Sequence, residues 1–122
     1  MKQMMFLMLM LLMSLNLGFA ETGKASWYSR ESVLAEGSSG ITASGEKLDD
    51  KKLTCARRAR NFGSRFRVTN LSNNKSIVVK ANDFGPAPKY FRKDRVIDLS
   101  KAAFSQIANL KTGIIAVKVE AL

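Results

Sequence analysis

The sequence predicts a mainly β domain of about six short strands and one helix, closed into a barrel. Three observations carry this. Apolar residues alternate with charged or polar ones over residues 64–69, 75–81 and 114–121, the period of a strand with one buried face. Clusters of Gly, Asn, Asp and Ser separate these stretches and supply the turns between them. Helical spacing is confined to residues 100–110, and a set of short strands hides its unpaired edges best when the sheet closes on itself.

Residues 1–20 stand apart from this pattern and are expected to be a removable export signal. Lys2 gives the positive end, Met4 to Met13 is almost entirely Met, Leu and Phe, and Gly18 and Ala20 put small residues three and one positions before a cut at Glu21. All six methionines lie in this segment, and its apolar run is shorter than the roughly 20 residues that cross a bilayer. The domain proper is then residues 21–122, enough for one modest core.

Within it, residues 25–28, Ala-Ser-Trp-Tyr, suit a short strand after the breaker Gly23. Residues 29–45, with Gly37, Ser38, Ser39, Gly40, Ser44 and Gly45, lack periodicity and predict a long surface loop. In residues 64–69, Phe66 and Val68 face one way and Arg65, Arg67 and Thr69 the other. Ile77, Val79 and Ala81 form the apolar face of the next strand. The intervening Asn70-Leu71-Ser72-Asn73-Asn74 tolerates left-handed backbone, so the two strands predict a hairpin. Gly85-Pro86 ends that strand, and a basic irregular stretch runs to Asp94. Residues 95–99 are another strand. Ser100 is a good N-cap for a helix through Leu110 with Ala103, Ile107 and Leu110 on one face, and Thr112-Gly113 stops it. The last strand alternates through Ile115, Val117 and Val119.

Charge and cysteine usage narrow the class. The domain keeps 19 of the 20 Lys and Arg and all ten acidic residues, a net +9 that suits polyanions. For an exported protein these are acidic wall polymers and anionic head groups before nucleic acid. Cys55 is alone, so no internal disulfide forms, and small exported eukaryotic domains are usually stapled by several. Cys55 fits a small buried hydrophobe. With no His and one Cys, neither a metal site nor a cysteine nucleophile with its usual base is expected.

Six strings then stand in order along the chain: Gly23-Lys24-Ala25-Ser26-Trp27-Tyr28, Thr42-Ala43-Ser44-Gly45-Glu46, Leu53-Thr54, Val68-Thr69-Asn70-Leu71, Asn82-Asp83-Phe84-Gly85-Pro86 and Ile97-Asp98-Leu99-Ser100. Together they resemble the rare lipoprotein A family of septal lytic transglycosylases. The resemblance implies a six-stranded double-psi β-barrel with one or two short helices. It implies cleavage of the bond between N-acetylmuramic acid and N-acetylglucosamine in glycan strands, forming a 1,6-anhydro ring, with no cofactor. The family is also associated with strands that have lost their stem peptides.

Such chemistry needs an acid for the leaving oxygen and stabilisation of an oxocarbenium-like centre. Because the C6 hydroxyl of the sugar attacks, one carboxyl group can serve first as acid and then as base. The resemblance implies that Asp83, at the bend where a strand meets Gly85-Pro86, is that group; by pattern alone an Asp there caps the turn. It implies that Glu46 is its partner, where pattern alone gives a solvated loop charge. Tyr28, Thr42, Ser44, Asn82 and Arg57 are the expected substrate contacts. Arg57 departs from the family, many of whose members have histidine there. Arg relays no proton; it either binds the lactyl carboxylate of muramic acid or holds a neighbouring carboxylate ionised. The segment from Ser29 to Gly40 is longer than in many relatives and is expected to reshape the groove. Trp27, Tyr28, Tyr90 and Phe91 either stack on sugars or fill the core, with Tyr90 and Phe91 the likelier exposed pair. With no cysteine at the cut no lipid anchor is expected, and the product is expected to be a soluble periplasmic or released monomer. A non-catalytic, expansin-like wall-loosening module is the alternative.

Overall fold

A computed structural model describes residues 20–58, 61–91 and 93–122. The export segment expected over residues 1–20 therefore lies outside the described residues, save for Ala20.

Six strands close in the order β1-β5-β2-β4-β3-β6. They are β1 (Ala20–Tyr28), β2 (Thr54–Ala56), β3 (Arg65–Asn70), β4 (Ser76–Asp83), β5 (Arg95–Ser100) and β6 (Ile115–Ala121). Helices α1 (Arg30–Ala35), α2 (Pro88–Phe91) and α3 (Lys101–Ile107) and a 3-10 turn (Leu110–Thr112) lie between them. β1 runs parallel to β5 and β2 parallel to β4, and the remaining neighbours are antiparallel. Two parallel pairs in a closed six-strand sheet are the crossovers of a double-psi barrel, which alternation along single strands cannot reveal.

The core follows from alternation. Val68, Val79, Val117 and Val119 line the barrel interior with Ile97 and Leu99, and α3 inserts Phe104 and Ile107 against them. Ser100 caps α3 by accepting from the Ala103 N–H at 3.3 Å, and the Asn70 and Asn73 amides donate to the Ile107 carbonyl at its other end. The hairpin forms with Arg65 opposite Lys80 through Thr69 opposite Ser76, and Asn74 takes the left-handed backbone, φ 62°.

Several boundaries differ from expectation, each through tertiary pairing. β1 begins at Ala20 because β6 supplies partners down to Glu120. β2 has three residues, too few to show a period, and forms because β4 and β5 flank it. The expected loop after Tyr28 starts with α1, whose N-cap Ser29 and Ser32 form a reciprocal capping box. α3 stops at Ile107 because Ala108 turns extended, and Leu110 opens the 3-10 turn instead. Thr69 is buried rather than facing solvent with Arg65 and Arg67.

Candidate active site

One lateral row of residues crosses four adjacent strands: Ser26 on β1, Asp98 on β5, Ala56 on β2 and Asp83 on β4. A register shift between Cys55 and Ala56 creates it. Cys55 opposes Ala81, yet Ala56 opposes Asp83, so the extra residue on β4 brings Asp83 rather than Asn82 into the row. Ile97 and Leu99 point into the core, so Asp98 between them faces outward, as strand alternation requires. Asp83 and Asp98 thus flank the small Ala56, two strand spacings or about 10 Å apart at Cα.

They line one groove of about 410 Å³. Its lining includes Tyr28, Ser32, Glu36, Phe84, Tyr90 and Arg95. The Ser29–Gly40 segment therefore does shape it, through α1. Gly85 is required beside it: a side-chain carbon there would stand 3.3 Å from the Ala56 Cβ and 3.6 Å from Asp98 Oδ2, at a φ of 154°.

The two carboxyl groups differ in environment. Asp83 Oδ1 accepts from the Ala43 N–H at 3.0 Å and the Phe84 N–H at 2.9 Å, which fixes its orientation. Asp98 accepts a short hydrogen bond from the Ser26 hydroxyl. Burial raises the Asp98 pKa above the ordinary carboxylate range; the Ser26 hydrogen bond and the Arg95 charge oppose this, and the Asp83 charge adds to it. Tyr28 is raised too, chiefly by burial and then by Asp83, Cys55 and Asp98, so it stays a neutral phenol. Its hydroxyl is buried without a hydrogen-bond partner among the described residues.

The other candidates fall elsewhere. Thr42 is buried, with its hydroxyl 2.9 Å from that of Ser44 and donating to the Glu46 carbonyl at 3.0 Å. The Ser44 N–H donates to the Asn82 carbonyl at 3.1 Å, so this loop docks on the end of β4 and delivers the Ala43 N–H to Asp83. Asn82 is buried, its side-chain oxygen without a hydrogen-bond partner among the described residues. The Glu46 carboxylate accepts from Ser44 at 3.2 Å and pairs with Lys80 at 3.8 Å. It lines a separate cleft with Arg30 and Asp49, not the groove of Asp83. There Asp49 accepts the Lys51 N–H, as turn residues do, while Asp50 accepts the distant Arg30 N–H at the start of α1.

Arg57 turns away from the groove. It donates to Glu21 at 3.1 Å and to the Val96 carbonyl at 2.9 Å, and lies 4.9 Å over the Phe66 ring. Trp27 lines the groove while donating to the Leu110 carbonyl and packing on the core. Tyr90 is partly exposed in the wall; the Phe91 side chain lies outside what is described. Asp98 and Arg95 were given no role by the sequence. The signal for Asp98 was an acid inside the apolar run Val96-Ile97-Asp98-Leu99, a place where charge is rarely found without purpose.

A double-psi barrel whose outer face holds two carboxyl groups, one of them desolvated, is a fold and site suited to acid–base work on an extended substrate. Comparison with known proteins makes the assignment specific. The chain belongs to the lytic transglycolase family, whose model matches residues 20–119. It is 40% identical over 110 residues to a probable endolytic peptidoglycan transglycosylase RlpA of Nostoc, covering 89% of this chain and 27% of that protein. It is 43% identical over 100 residues to the endolytic peptidoglycan transglycosylase RlpA of Pseudomonas aeruginosa, covering 82% and 27%. The Rickettsia felis protein of that name is 38% identical over 104 residues, covering 85% and 43%. The chain thus spans less than half the length of these relatives. Among solved structures, a Streptomyces papain inhibitor matches with TM-score 0.64 at 23% identity, covering 84% of this chain and 94% of that one. A Clavibacter michiganensis expansin in complex with cellohexaose gives TM-score 0.61 at 17% identity, covering 84% and 50%. These two likenesses concern the fold alone.

Proposed function

We propose that this protein is an exported endolytic lytic transglycosylase that cleaves the bond between N-acetylmuramic acid and N-acetylglucosamine in peptidoglycan. The observation that carries the proposal is the pair of carboxyl groups in one groove, with Asp98 desolvated and its pKa raised by that burial. The family relationship supports the reaction class.

In this reading Asp98 gives its proton to the departing glycosidic oxygen as the bond to C1 breaks. The Asp83 carboxylate, aimed by the Ala43 and Phe84 N–H groups, faces the oxocarbenium-like centre. The C6 hydroxyl then attacks C1, closes the 1,6-anhydro ring and returns its proton to Asp98. No water is consumed, and the acid is regenerated. Tyr28, kept a neutral phenol by its burial, forms part of the wall beside both carboxyl groups. Arg57 needs no part in proton transfer, because its guanidinium points out of the groove, donating to Glu21 and the Val96 carbonyl.

Incubation of residues 21–122 with purified peptide-free glycan strands, followed by mass spectrometry for anhydro ends, tests the proposal. The wild type is expected to make such ends, with a rate that falls as pH rises through the elevated pKa of Asp98. Asp98→Asn and Asp83→Asn are each expected to lose roughly 10²-fold or more while remaining folded. Retention on insoluble peptidoglycan with no new ends would instead favour the non-catalytic, expansin-like module.

A further inference from the structure

We propose that Arg95, stacked on Tyr90, is the specificity residue of the groove: it receives a free carboxylate on the sugar beside the scissile bond, the lactyl carboxylate of a muramic acid without its stem peptide. This rests on the reading that the groove holds a peptidoglycan strand, and it assigns a role the reaction itself does not require.

Arg95 is the single cation among the described residues that line the groove, facing Asp83, Asp98 and Glu36. Its position there depends on a bulge. Lys24 opposes Arg95, but Ala25 opposes Ile97, so one extra residue on β5 turns Arg95 to the side of Asp98. The two stand three positions apart along the strand, about 10 Å at Cα, which leaves room for a sugar ring between acid and cation.

The state of its guanidinium is the decisive observation. Arg57 donates to Glu21 and the Val96 carbonyl outside the groove, Lys80 pairs with Glu46, and Arg30 donates to the Gly40 carbonyl. Arg95 has no hydrogen bond or ion pair with a described residue; its contacts are the Tyr90 ring, 4.6 Å from Cζ, and the field it exerts on Asp98. Stacking holds a planar fork of donors in place without consuming them. Lys89 lies 4.8 Å over the same ring and adds positive potential. A donor fork of this kind matches a carboxylate two bonds at a time.

The chemistry of the substrate then sets a preference. A muramic acid stripped of its peptide ends its lactyl group in an anion, whereas a peptide-bearing one ends it in a neutral, branched amide. An otherwise acidic groove with one uncommitted guanidinium favours the first by charge and by fit.

The test compares peptide-free strands with the same strands after carbodiimide activation and borohydride reduction, which turns lactyl carboxylates into alcohols. Anhydro ends and retention on the insoluble strands are both measured, for wild type, Arg95→Gln and Arg95→Lys. Wild type is expected to prefer the intact strands roughly tenfold or more in kcat/KM, mostly through KM. In Arg95→Gln the ratio of intact to reduced should fall to near one, with Arg95→Lys between them. Circular dichroism and melting temperature establish that each variant is folded. Equal processing of both strands by wild type, or a preference that persists in a folded Arg95→Gln, overturns the proposal. If wild type makes no ends from either strand, the transglycosylase reading fails, and retention alone decides Arg95: a preference that the variant abolishes supports it, and equal retention overturns it.

Discussion

At the scale of single residues, Asp98 has two consequences that pull against each other. Its folded-state pKa is raised, so the folded chain holds this proton more tightly than the unfolded chain does. The associated stability is complete below the ordinary Asp value of about 3.9 and is lost as pH climbs from there through the elevated value. Asp98→Asn keeps an oxygen to accept from Ser26 and removes the ionisable group. The variant is expected to melt higher than wild type at neutral pH, with a flatter dependence on pH across that window, while its catalytic activity is lost. Thermal scans at several pH values check the sign; a variant less stable at neutral pH would contradict it. Arg57 makes the opposite prediction. Arg57→Ala gives up the Val96 hydrogen bond, the stack on Phe66 and a pair with the half-exposed Glu21, a loss of about 1–3 kcal/mol by denaturant titration. Its effect on product formation at matched folded fraction should be the smaller one, because the side chain does not reach the groove. The role expected of Arg57 came from its place in a motif, and the direction of its side chain was invisible there.

At the scale of elements, the groove is a product of irregularity in the strands. The shift at Cys55/Ala56 supplies Asp83, and the shift between Lys24 and Ala25 supplies Arg95. Neither is legible in hydrophobic alternation, since a bulge changes which residue opposes which without changing composition. Close approach of strands is the complementary device. At Gly23 a side-chain carbon would lie 2.6 Å from Val96 Cγ1 and 2.7 Å from the Asp94 carbonyl, inside the contact that seats β1 on β5. Gly23→Ala is therefore expected to cost about 1–3 kcal/mol, measured as a lowered denaturant midpoint with unchanged slope. A loss of activity beyond the loss of stability would accompany it, because the same strand pair carries Ser26 and Asp98.

At the scale of the whole molecule, one closed barrel with a single inserted helix accounts for both cohesion and inertness of the interior. Cys55 is fully buried and its thiol is pushed up to about 12, first by burial and then by Asp98, with Arg57 acting against. It should resist thiol reagents in the native state and react at a rate set by opening of the barrel; rapid native labelling would show that β2 detaches independently. The sequence by itself determined the alternating strands of the hairpin and of β6, the Ser100 cap, the buried cysteine, and, through its ordered motifs, the family. These are local or collinear properties, fixed by period, by capping chemistry and by residue identity. Only the tertiary structure decided β2, α1, the parallel pairings, the docking of the 43–46 loop on β4 and the meeting of Asp83 with Asp98. Those depend on which strands become neighbours when the sheet closes, and a carboxyl group acquires its environment from partners that stand far away along the chain.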